Sequence, residues 1–206
     1  MRRISKAVVF VLALVPTAWL IWGIFHESLG VNPAETIQLQ TGRWALKFLL
    51  VTLAVTPVRR LTGWNVVIQY RRMLGLFAFF YATLHFASYI VLDQYFAWGA
   101  IVADIAKRPF ILMGTLALLT MMPLAVTSTK GWIRRLGRRW QTLHRLIYVS
   151  ALCAVVHFAW KVKVIAGAPV IYAGVLAALL GFRAVWYLRK QARLLSVALP
   201  SNSSSR

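Results

Sequence analysis

Two imidazoles stand thirteen residues apart in WQTLHRLIYVSALCAVVHFAW, residues 140–160, a stretch otherwise apolar enough for the interior of a membrane. A third, His85, sits late in the run RRMLGLFAFFYATLHFASY. Ionisable groups in hydrocarbon are costly, so His85, His144 and His157 together point to function. The bland alternative for any one of them is a neutral ring hydrogen-bonded to a neighbouring helix. Neutral imidazole is also the commonest metal ligand among side chains. Two on facing helices can hold a haem iron from both sides, which closes it to ligand chemistry and leaves electron transfer. Other chemistry is scarce. The four acids, Glu27, Glu35, Asp93 and Asp104, all lie between the apolar runs, so carboxylate chemistry inside them is excluded. Cys153 is alone and in an apolar setting that keeps a thiol protonated, which reads as packing. His26, just past the first run, reads as an exposed interfacial residue. No Gly-rich phosphate loop and no internal repeat is evident.

The elements that must position these rings are apolar helices. Uncharged runs cover 7–25, 73–92, 109–129 and 164–182, each near the roughly 20 residues that cross a bilayer. Two weaker runs, 41–58 with Arg43 and Lys47 and 141–160 with Arg145, complete an expected all-α bundle of six transmembrane helices. Residues 1–193 then form one membrane domain, with 194–206 a polar, disordered cytoplasmic tail. Asn32, Pro33 and Glu35 have the pattern of a helix start. The formal charge of +20 would suggest nucleic acid in a soluble protein. Here it is a topology signal, and nucleic-acid binding is excluded. Six spans in alternation put most Arg and Lys on one side, and the four acids with a few basic residues on the other. The positive-inside rule then makes both termini cytoplasmic.

Depth tests which histidines can meet. His85 lies thirteen residues past Arg72, about 20 Å of helix, and His157 eighteen past Arg139, about 27 Å. Both spans run the same way, so these two are expected to share the outer half of the membrane and to be the axial pair. His144, only five residues past Arg139, lies near the inner face. In an ideal helix it points about 220° away from His157. It is the candidate for a second haem or for electron input from quinone or flavin. Gly75, Ala78 and Ala82 before His85, with Cys153 and Ala154 before His157, are expected to make room for a flat ring. Arg71, Arg72, Arg138, Arg139, Lys161 and Lys163 are candidate propionate or cofactor contacts.

The segments TGRWALKFLLVTLAVTPVRRL, RRMLGLFAFFYATLHFASY, LAVTSTKGWIRRLGRRWQTLHRLIYV and VVHFAWKVK resemble, over about residues 19–188, the haem-binding membrane subunits of bacterial methionine sulfoxide reductase systems. These belong to the ferric-reductase-like transmembrane superfamily. The resemblance implies a bacterial inner-membrane protein that passes electrons from the quinone pool through haem b, with FMN a further candidate cofactor. The implied acceptor is a periplasmic molybdopterin-containing reductase that repairs oxidised methionine in envelope proteins. Members of the wider superfamily carry two histidines on each of two helices. Here Arg71 stands fourteen residues before His85, so a second haem at the cytoplasmic side would have His144 without a matching histidine. A histidine-lined channel or carrier, or a non-redox membrane anchor, are the competing functions.

Overall fold

In the computed structural model residues 2–162 and 167–198 are described, and among them the chain is helical with no strand. The helices are α1 (Arg2–Phe25), α2 (Pro33–Thr62), α3 (Arg71–Ser88), α4 (Trp98–Lys107), α5 (Pro109–Val126), α6 (Lys130–Leu136), α7 (Arg138–Leu143), α8 (Leu146–Val162) and α9 (Ala168–Ala198). A 3₁₀ turn, Asn65–Tyr70, leads into α3, and a π-helical segment, Tyr89–Asp93, continues it.

Among the described residues five helical segments are long and apolar enough to cross a membrane: 4–25, 65–93, 109–126, 138–162 and 168–194. The sixth expected span, 41–58, is not among them. It is the middle of α2, whose Arg43, Lys47, Arg59 and Arg60 dilute its apolar character although its thirty residues give ample length. The expected helix start is present: the Asn32 side chain accepts from the Glu35 N–H at 3.2 Å, and Pro33 occupies the first turn. The helix then continues unbroken to Thr62, where Gly63 at φ 73° ends it with its N–H on the Arg59 carbonyl. α9 reaches Ala198, into the expected tail; 199–206 lie outside the described residues, as does Lys163.

α2 is the hub despite its charges. Leu46, Leu49, Leu50 and Leu53 are buried with Ala78 of α3, Met121 and Leu124 of α5, Ile147, Ala151 and Val155 of α8, and Leu176 of α9. The closest associations are α2 with α3 and α5 with α8. Small residues let the backbones approach: Ala78, Ser150 and Ala151 are fully buried, and the Thr120 and Ser150 hydroxyls share a 2.8 Å hydrogen bond between α5 and α8. α1 packs outside this core through Ala13, against Phe77 and Tyr81. The Tyr81 hydroxyl donates to the Ala13 carbonyl at 2.7 Å and accepts from Thr17 at 2.9 Å. The outer surface carries exposed Val8, Phe10, Leu12, Ile171 and Val175, the side chains a lipid-facing surface needs.

Glu27, Glu35, Asp93 and Asp104 fall at one end of the bundle, here the acidic end. Arg59, Arg60, Arg71, Arg72 and the α6–α7 arginines fall at the other, the basic end.

Candidate functional site

His85 and His157 come together toward the acidic end, on α3 and α8, with ring centroids 5.9 Å apart and planes inclined at 71°. Each ring is held the same way. His85 Nδ1 lies 2.8 Å from the Gln38 carbonyl of α2, and His157 Nδ1 lies 2.6 Å from the Phe110 carbonyl of α5. A carbonyl can only accept, so each Nδ1 carries the proton and each Nε2 keeps its lone pair free. That is the arrangement that fixes a metal-ligating histidine and raises its basicity.

Two glycines make these bonds sterically accessible. The carbonyls of Gln38 and Phe110 sit one helical turn before Gly42 and Gly114, and the imidazoles cross the helix surface over those glycines. A Cβ on Gly42 would stand 3.1 Å from His85 Nδ1 and Cε1; one on Gly114 would stand 2.8 Å from His157 Nδ1. A Cβ on Gly114 would force the ring or the helix to shift, and one on Gly42 would need His85 to give by a few tenths of an ångström.

The duplication runs through the whole site. Each histidine is 47 residues from its carbonyl partner. A single offset of 72 residues relates Gln38 to Phe110, Gly42 to Gly114, Ala45 to Ala117, Leu46 to Leu118, Ala82 to Ala154, His85 to His157 and Phe86 to Phe158, all lining one cavity. The expectation of no internal repeat is therefore corrected. The chain carries G-x-x-A-L at 42–46 and 114–118, and A-x-x-H-F-A at 82–87 and 154–159. Each copy is a helix pair that supplies one ring.

The cavity holds about 410 Å³, within the roughly 300–1,000 Å³ of cofactor pockets. Its walls are mainly apolar, with Leu46, Leu49, Ala117 and Phe158 among them. Its charged lining has three cations, Arg43, Arg108 and Lys161, against one acid, Asp93, and Lys161 Nζ lies 5.8 Å from the Phe110 ring centroid. Arg108 is paired with Asp104 at 3.0 Å, and Asp104 also accepts from the Tyr89 hydroxyl at 3.0 Å. Among the described residues no three His, Cys, Asp or Glu side chains converge. Two imidazoles do not make a bare-ion site, but they complete the shell of an iron that brings its own four equatorial nitrogens. The residues therefore fit haem.

The other sequence candidates lie elsewhere. Of the expected small residues only Ala82 and Ala154 line the cavity; Ala78 is in the core, and Gly75 faces Thr52. Lys161 is at the rim, whereas Arg71, Arg72, Arg138 and Arg139 are not. His144 stands in the break between α7 and α8, the distortion that frees it from the ideal-helix direction. Its Nδ1 lies 3.1 Å from the Trp140 carbonyl, its ring stacks on Trp140 at 3.8 Å, and Arg71 is its charged neighbour. His26 is exposed and stacked on Trp22 at 3.7 Å. Sequence reasoning missed Gly42, Gly114, Arg43, Arg108 and the two carbonyls; the repeated motifs were the signal for the glycines.

A histidine pair on two duplicated helix hairpins is the arrangement of a haem-type membrane bundle, and the family described as "Ferric reductase like transmembrane component" matches residues 41–155. The "Protein-methionine-sulfoxide reductase heme-binding subunit MsrQ" of Xanthomonas euvesicatoria pv. vesicatoria is 52% identical over 88% of this chain and 86% of its own length. Those of Xanthomonas oryzae pv. oryzae and Rhodospirillum rubrum are 51% and 49% identical, covering 88% and 92% of this chain and 86% and 91% of their own. No solved structure matches the chain. The chain belongs to the MsrQ family within the ferric-reductase-like membrane proteins.

Proposed function

We propose that the protein is the b-type haem subunit of a methionine sulfoxide reductase system in the bacterial inner membrane. In this reading it passes electrons from the quinone pool to a periplasmic molybdopterin-containing partner. One observation carries it: two imidazoles on parallel helices, each proton-fixed by a backbone carbonyl, face one cavity with their Nε2 lone pairs free. The names of the relatives, haem-binding subunits of a protein-methionine-sulfoxide reductase, support its haem and reductase parts.

Haem held there would supply a one-electron ferric/ferrous couple closed to exogenous ligands. His85 and His157 would hold it through Nε2. The Gln38 and Phe110 carbonyls hold the rings in place and strengthen them as donors. Arg43, Arg108 and Lys161 offer positive partners for propionates, and the leucine-rich walls exclude water. A histidine-lined channel or a plain anchor has no use for paired glycine clearances over anchored rings.

The excess of arginine at the basic end supports cytoplasmic termini and a periplasmic acidic end. α2 is then the sixth span, shielded by its neighbours, with Arg43 and Lys47 toward the periplasmic interface. At the cytoplasmic end His144, with Arg71 beside it, is the position for a second cofactor, either a haem or FMN.

A visible spectrum of the purified chain tests the reading. A six-coordinate low-spin b-haem signal, lost in both His85→Ala and His157→Ala, is expected. A wild-type spectrum in both variants would refute the assignment.

A further inference from the structure

Away from the imidazole pair a second concavity, of about 420 Å³, opens on the outer surface between α1 and α2. It is lined by Leu12, Val15, Pro16, Trp19, Gln40 and Trp44. Leu12, Val15 and Trp19 are half or more exposed, so the groove opens toward lipid.

Its polar edge comes from a side-chain amide and from a backbone carbonyl that lacks its usual helical N–H donor. The Gln40 side-chain amide is half-buried and makes no hydrogen bond among the described residues. Pro16, inside α1, has no N–H to give the Leu12 carbonyl one turn earlier. At Pro57 the same defect is repaired, because Arg183 Nη2 donates to the Leu53 carbonyl at 2.7 Å, whereas the Leu119 carbonyl before Pro123 of α5 has no side-chain donor among the described residues. Among the described residues no side chain does this for Leu12. The groove thus presents one amide donor and one carbonyl acceptor beside two indole rings, a complement to a flat ring bearing oxygens.

The groove lies across α2 from the haem site, on the helix's opposite face. Gln40 and Trp44 belong to the same two turns of α2 as Gln38, whose carbonyl anchors His85, and Gly42, which backs it. The Trp44 ring is 6.5 Å from Tyr81, which Phe48 stacks at 5.4 Å, and Tyr81 is one turn before His85 on α3.

We propose that this groove is where a lipid-soluble hydroquinone docks and is oxidised, with Gln40 and the Leu12 carbonyl holding its oxygens. The proposal rests on the reading of the chain as a quinone-fed haem subunit. Each hydroquinone releases two electrons and its two hydroxyl protons and leaves as quinone. The electrons pass singly to ferric iron at the His85–His157 site, each reducing one Fe³⁺ to Fe²⁺, and the protons go to water at the acidic end. Donor and acceptor are then served on the same side of the membrane.

The test uses the full haem-loaded chain in phosphatidylcholine nanodiscs with decylubiquinol as probe, following haem reduction anaerobically, and an azido-quinone whose crosslinks are mapped by peptide. Gln40→Leu should raise the decylubiquinol concentration for half-maximal reduction about tenfold, while dithionite still gives the full ferrous spectrum. Leu12→Trp, which fills the groove from α1 without touching the haem cavity, should act likewise and abolish labelling of α1 and α2. Labelling of the groove without haem reduction supports the site and refutes the quinone-fed reading. Reduction unchanged in both variants, with label on other helices, overturns the groove and leaves that reading standing. Labelling competed by phospholipid but not by decylubiquinol also overturns it, making the groove an acyl-chain site.

Discussion

Replacing Gly114 by alanine should weaken haem binding, although alanine is the better helix former. In a helix interior Gly→Ala favours folding by about 1 kcal/mol, so propensity acts against the expected loss. The new Cβ would stand 2.8 Å from His157 Nδ1 and 3.0 Å from its Cε1. The neighbour is an imidazole fixed by a 2.6 Å bond to the Phe110 carbonyl, so the ring must leave that bond or the helices must part. Losing the bond costs about 1 kcal/mol and overpacking adds at least about 1 kcal/mol. About 2 kcal/mol is a fall of about 30-fold in haem affinity, within the range for losing an outer partner of a metal-bound histidine. Gly42→Ala, with its Cβ 3.1 Å from His85, should do the same more mildly, because a shift of a few tenths of an ångström relieves it.

The assay is haem retention: the rate of haem transfer from purified protein to an apo-globin acceptor, with the low-spin electron paramagnetic resonance signal read in parallel. Gly174→Ala on α9, where nothing lies within 4 Å of the new Cβ, is the control and should match or exceed wild type. If Gly114→Ala kept haem as long as Gly174→Ala, with an unchanged low-spin signal, the glycine-clearance argument would be wrong.

Reversing the charges of Glu27 and Glu35 should slow electron transfer to the partner reductase without changing haem content; mapping that placed these loops in the cytoplasm would refute the topology. Asp104 is a different case, because it already engages Tyr89 and Arg108, and Asp104→Lys should lower thermal stability as well. Arg183→Met should leave the Leu53 carbonyl orphaned, at a cost of about 1–3 kcal/mol, and Pro57→Ala in the same chain should recover most of it by restoring a helical N–H; no recovery would break that account. His144→Ala separates the readings of the basic end. A fall in the haem-to-protein ratio from near two to near one supports a second haem, an unchanged ratio with slower reduction by reduced FMN supports flavin input, and identity with wild type makes His144 a packing residue.

The pairing of His85 with His157 was legible from depth alone, because rise per residue is fixed and both spans start from arginine pairs. The apolar runs were legible for the same reason: hydrocarbon demands a continuous stretch, and composition records it directly. α2 was harder. Its Arg43 and Lys47 sit on a helix whose other face carries Leu46, Leu49, Leu50 and Leu53 into the core, and averaging over a window mixes the two faces. The glycines were missed because small residues were sought on the histidines' own helices. The clearance a ring needs is set by the helix it crosses, and no period along α3 or α8 reveals that. The two anchoring carbonyls carry no sequence signal, since any residue supplies one.

The duplication explains why the two ends of the bundle differ. Across the 72-residue offset the acidic end pairs histidine with histidine and glycine with glycine, so both rings meet the same geometry. Carried to the basic end, the same offset sets His144 against Arg72. It sets the break between α7 and α8 against the start of α3, where a 3₁₀ turn gives way to α-helix. One side offers an imidazole in a distorted turn, the other a guanidinium that cannot lose its proton and carries no free lone pair for iron. A group bound there would have one nitrogen ligand and a positive neighbour. That suits an anion-bearing cofactor, or a haem held on one face, and predicts a more exposed and more readily lost occupant than the pair at His85 and His157 retains.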